Sequence, residues 1–89
     1  MADERNVALW PTRQNYARFA ALCDDKVAPD FDDFARVANA QIVALAIRGV
    51  HIHKIAFDPD RMAQWCRANC GKVDADARAY YASFLALAD

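Results

Sequence analysis

The side chains best suited to chemistry in this chain are two histidines and two cysteines. His51 and His53 stand two apart in a β-branched run, so in a strand both imidazoles leave the same face. Cys66 and Cys70 stand four apart, so in a helix both thiols lie on one side, one turn apart. A strand and a helix packed face to face would bring the four into a tetrahedral zinc site. Three features oppose it. The tight Cys-x-x-Cys knuckle of structural zinc sites is missing. The imidazoles suit a solvated face equally well, with Val50 and Ile52 turned inward. Cys66 follows Trp65 in an apolar stripe, where a free thiol packs as a small hydrophobe. A Cys66–Cys70 disulfide is opposed by geometry, because helical Cβ atoms one turn apart exceed the reach of a relaxed bridge. The expectation is a chain without metal or cofactor, with His51, His53, Cys66 and Cys70 as the alternative metal ligands.

Parts for catalysis are scarce. Thr12 and Ser83 are the only aliphatic hydroxyls, one placed as a helix cap and the other inside the last helix. A Cys–His pair would still need an orienting group and an oxyanion site, for which glycine-poor loops give little material. No Gly-rich phosphate loop occurs. Asp24, Asp25, Asp30, Asp32 and Asp33 lack the central Gly and the terminal Glu of a calcium loop. No catalytic residue is assigned, and the chain does not read as an enzyme.

Two binding readings remain. A helix, Gly71 and a second helix starting near Asp74 form a helix-turn-helix-like half, the alternative reading as a DNA-associated regulator. Asp74 and Asp76 would then face phosphate, and Arg78 is the only cation that helix offers. Arg61, Arg67 and Lys72 cluster just before it. Against this stand Trp10, Trp65, Tyr80 and Tyr81, which are core material by default and interface anchors wherever exposed.

The elements that must position these residues are mostly helical. Asn6 to Trp10 alternates weakly and suits an edge strand; Pro11 ends it and Thr12 caps a helix with Tyr16, Phe19, Ala20 and Cys23 on one stripe. After Pro29, Asp30 caps a second helix, with Asp32 and Asp33 in its first turn. Phe31, Phe34, Ala38, Ile42 and Leu45 form one stripe, which Val37, Val43 and Ile47 widen. A helix apolar on two sides predicts a central position. Arg48 and Gly49 close it. Val50 to Phe57 is the best strand, although Ile52 and Ile55 three apart require opposite faces or a bulge near Lys54. Asp58-Pro59 starts a third helix lined by Met62, Trp65 and Cys66 and closed by Gly71. Asp74 caps a fourth, striped by Ala77, Tyr80, Tyr81, Phe84, Leu85 and Ala88. Residues 1–89 are thus one mainly α (α+β) domain of four helices with one or two short strands. Two helices between the strands predict an antiparallel ribbon.

The runs Leu9 to Tyr16, Phe57 to Cys66 and Ala77 to Ala82 resemble small uncharacterised bacterial proteins of about this length, over most of the chain. The resemblance implies no activity and no functional residue.

Composition narrows the partners. Of 89 residues, 56% are hydrophobic, but 20 are alanine, so the core is thin. A chain this short buries roughly 60–65% of its unfolded surface. The net charge of −1 disfavours nucleic acid as a partner, and the longest apolar run, Ile42 to Ile47, is far too short to span a membrane. The charged opening residues carry no visible secretion signal, and three cysteines are odd in number, which suits free thiols in the cytoplasm. The expected function is a small protein-interaction or regulatory module, a homodimer or a binder of another protein, with Val50, Ile52 and Tyr81 at the interface.

Overall fold

The computed structural model describes residues 6–88; the charged opening at 1–5 and Asp89 lie outside these, as does the side chain of Ala88 in the last stripe. Two strands and four helices follow in the order β1 (Asn6–Leu9), α1 (Tyr16–Leu22), α2 (Phe31–Ile47), β2 (Ile52–Ile55), α3 (Pro59–Cys70) and α4 (Ala75–Ala88). Aspartates start three of the helices. Asp30 accepts from the Asp33 N–H at 2.8 Å, Asp58 from those of Asp60 at 2.8 Å and Arg61 at 3.4 Å, and Asp74 from that of Ala77 at 3.0 Å. Pro59 takes the first position of α3, where its missing N–H deprives the helix of nothing. Thr12 does not cap α1. It exchanges hydrogen bonds with Asn15, at 2.8 and 3.0 Å, and so closes a turn before the helix begins.

The sheet is parallel, not the antiparallel ribbon that two intervening helices predict. Asn6, Val7, Ala8 and Leu9 pair in register with Ile52, His53, Lys54 and Ile55. Helix length explains the difference. At about 1.5 Å per residue, the 7 residues of α1 cover less than half the distance covered by the 17 of α2. The short helix packs on α3, so α2 alone carries the chain back and one return makes the strands parallel. The ladder is regular, without a bulge at Lys54. In-register neighbours share a face, so Ile52 and Ala8 point one way and Ile55 and Leu9 the other.

The core lies where α1, α3 and α4 meet. Tyr16, Phe19, Met62, Cys66, Val73, Ala77 and Tyr81 are buried together, with Leu9 and Trp65 packed against them. The α2 helix is not central as its two apolar sides predict; none of its residues is buried. A sheet of two strands supplies a floor for only one stripe of a helix, and among the described residues nothing covers the other side. Asp58 holds two orphan N–H groups of α3, the helix with most of its inner face in the core. Asp58→Ala is therefore expected to lower unfolding free energy by about 1 kcal/mol in a urea titration.

Candidate functional site

A cleft of about 660 Å3 runs along β1. All of Val7, Ala8, Leu9 and Trp10 line it, whereas β2 contributes only Ile52. Consecutive strand residues touch one cleft only when it runs along the strand's edge, since their side chains alternate between faces. The helices flanking this edge lie on opposite faces of the sheet. On the face of Ala8 and Lys54, the Lys54 Nζ bonds Asn39 of α2 at 3.0 Å, and Trp10 packs on Phe34 at 5.1 Å between ring centroids. On the face of Leu9, α4 packs against β1. Both nonetheless line the cleft, α2 through Val37, Gln41, Ile42 and Leu45 and α4 through Ala75, Arg78, Ala79 and Ala82. Each helix overhangs the free edge of β1.

The far end of the cleft is built by the connection between α1 and α2, which is clipped to the start of α4. The Asp24 N–H donates to the Val73 carbonyl at 2.8 Å, and Asp24 Oδ2 accepts from the Val73 N–H at 2.7 Å. Beside it, both terminal Arg78 nitrogens donate to the Asp25 carboxylate, Nη1 at 2.6 and Nη2 at 3.1 Å. The Arg78 guanidinium also lies 5.7 Å from the Phe19 ring centroid. Its hydrogen bonds hold the Asp25 carboxyl below the usual carboxylate range, against the opposing effect of burial. Lys26, Val27 and Ala28 then complete the wall, and the Tyr16 hydroxyl fixes them by donating to the Ala28 carbonyl at 2.7 Å.

Of the metal-ligand and interface candidates read from the sequence, Ile52 alone lines the cleft. His51 and His53 are exposed at β2, whereas Cys66 is fully buried on the inner face of α3 and Cys70 half-buried. Among the described residues no three histidine, cysteine or acidic side chains converge as a metal site would require. Burial, reinforced by Cys70, pushes the Cys66 thiol up to about 11, the opposite of a nucleophile. Val50 and Ile52 are half-buried; the Val50 N–H bonds the Leu45 carbonyl, and Ile52 floors the cleft. Tyr81 is a correction. It is a core residue, packed on Trp65 at 5.4 Å and on Phe84 at 6.2 Å, while its neighbour Tyr80 turns outward. The helix-turn-helix-like half places α4 between α3 and the sheet. Its outer side carries Asp76, Tyr80, Phe84 and Leu87, and its one cation, Arg78, is tied to Asp25.

No family model matches the chain, and comparison with curated proteins and with solved structures gives no match either. Among the described residues no helix is long and apolar enough to cross a membrane. The cleft itself escaped the sequence reading. Its visible trace was the spacing of Ala75, Ala79 and Ala82, a helix face of small residues suited to a cavity wall.

The Asp25–Arg78 pair makes stability depend on acid. Because the folded carboxyl titrates lower than the unfolded one, its contribution is present above the unfolded value and is lost as pH falls through the folded value. Asp25→Asn should therefore melt several degrees below the wild type at neutral pH, with the gap closing as pH drops below about 4. In native protein at pH 8, a soluble disulfide reagent should leave Cys66 unmodified, and all three thiols should react in denaturant.

Proposed function

We propose that the protein is a non-catalytic interaction module of the cytoplasm that pairs with a second copy of itself through the outer face of α2. The observation that carries this reading is the exposure of that face. Val37, Val43 and Ile47 stand 48, 58 and 82% exposed on a 17-residue helix without a buried residue. A helix apolar on two sides normally has both of them covered.

The spacing favours a second copy as the cover. Val37, Ala40, Ala44 and Ile47 follow one another at intervals of three, four and three, the seam of a helix pair. The seam reads the same from both ends. An antiparallel pair with its twofold axis between Ala40 and Ala44 sets Val37 of one protomer against Ile47 of the other, and Ala40 against Ala44. Alanine at the crossing lets the axes approach to about 8 Å. The same arrangement sets the acidic first turn, with Asp32 and Asp33, near Arg48 at the end of the second copy's helix. The outer side of α4, which carries Asp76, Tyr80, Phe84 and Leu87, supports protein over DNA.

One helix pair buries less than the roughly 1,600 Å2 of a standard interface, so the dimer should dissociate in the micromolar range. Sedimentation velocity from micromolar to millimolar protein is expected to show a monomer–dimer equilibrium. Ile47→Asp, at an exposed position, should weaken it by at least about tenfold without lowering the melting temperature. A monomer throughout, or a dimer indifferent to this change, would overturn the reading.

A further inference from the structure

We infer that the cleft along β1 is a strand slot, which takes an extended apolar segment of another protein, acidic at one end, as a third strand of the sheet. The backbone of β1 gives the first argument. The Trp10 N–H donates to the Ile55 carbonyl at 2.8 Å, and in a parallel pair with this register Ala8 and Trp10 direct their N–H and C=O groups toward β2. Val7 and Leu9 between them must direct theirs the other way, into the cleft. Among the described residues those groups meet no hydrogen-bond partner. Unpaired main-chain groups at a strand edge are what an added strand recognises.

The walls give the second argument. Because α2 and α4 lie on opposite faces and both overhang the edge, a strand inserted there would be covered on both sides, as strands of parallel α/β sheets are. One set of its side chains would meet Val37, Ile42 and Leu45; the other would fill the room left by Ala75, Ala79 and Ala82. The overhangs also decide against the second copy's β1 as occupant, because that strand is recessed between the same two helices.

Charge sets the ends. Among the described residues the charged side chains lining the cleft are Lys26 and Arg78, both cations, and no acid. Arg78 is spent on Asp25, whereas Lys26 forms no ion pair among the described residues. Trp10 on Phe34, and Tyr16 on Ala28, place Lys26 at the C-terminal end of β1. An acidic residue of the inserted segment belongs there.

This surface shares Val37 with the seam of α2 but not Ile47, which belongs to the seam alone, so Ile47→Asp lets the two readings fail separately. The test is calorimetric titration of wild-type protein, and of Ile47→Asp in parallel, with four synthetic pentapeptides. These are acetyl-Asp-Val-Val-Leu-Val-amide, its reversed sequence to cover both strand directions, the more active of the two with Lys for Asp, and the more active of the two with proline as its third and fourth residues, one of which must direct its N–H at β1 in either register. An acid-ended peptide is expected to bind both proteins, at least about tenfold more tightly than its lysine counterpart, since a close opposite charge is favourable and a like charge is not. The proline peptide should not bind, having lost a donor. Lys26→Glu, on an exposed loop, should reverse the preference for acid over lysine. Absence of binding by both acid-ended peptides at millimolar concentration would overturn the proposal. So would equal binding of the proline peptide, which would make the cleft an ordinary apolar pocket.

Discussion

A parallel sheet of two strands has two open edges and two bare faces, and it can cover none of them by itself. The rest of this fold answers that constraint. One short helix cannot span the sheet, so α2 alone returns the chain and forces the parallel register. It then lies on one face while α4 takes the other. Neither helix closes the edge of β1, and together they turn it into the floor of a cleft. The main-chain N–H and C=O groups along that edge are left to water, and an added strand can take its place. A slot lined by such groups is therefore open to any strand that can satisfy them.

The shape of the slot depends on a second, local device. Asp24 and Asp25 fasten the connection between α1 and α2 to Val73 and Arg78 at the start of α4. Without this clip the cationic end of the cleft would be a free loop, and α2 would be held by its contact with β2, by the aromatic cluster of Trp10, Tyr16, Phe19, Phe31 and Phe34, and by the exposed Arg13–Asp32 pair. The clip is half-buried and bidentate, which separates it from the exposed pairs Arg13–Asp32 and Arg18–Asp60, whose contribution at the surface is small.

Much of the fold was legible in the sequence because the signals are local. Aspartates at helix starts, glycines at helix ends and apolar stripes each act within a turn or two of chain. Asp30, Asp58, Asp74 and Gly71 all do what their positions require. Strand direction was not legible, because it depends on whether α1 spans the sheet, and seven residues of helix carry no mark of what they pack on. The position of α2 was misread for a related reason. Apolar residues on two sides say that both sides want cover, but not that this chain supplies it. Tyr81 and Tyr80 exchanged roles because adjacent helical residues differ by about 100° and only the packed neighbours decide which points inward. The cleft is a property of three elements at once, and no single run of residues encodes it.

The unfilled edge is the feature on which the whole account turns, and amide hydrogen exchange reads it residue by residue. In the free protein at micromolar concentration, Ala8 and Trp10 should exchange slowly, because their N–H groups face β2. Val7 and Leu9 should exchange nearly as fast as an open chain. Equal protection of all four would mean that the edge is already occupied, and would contradict the account.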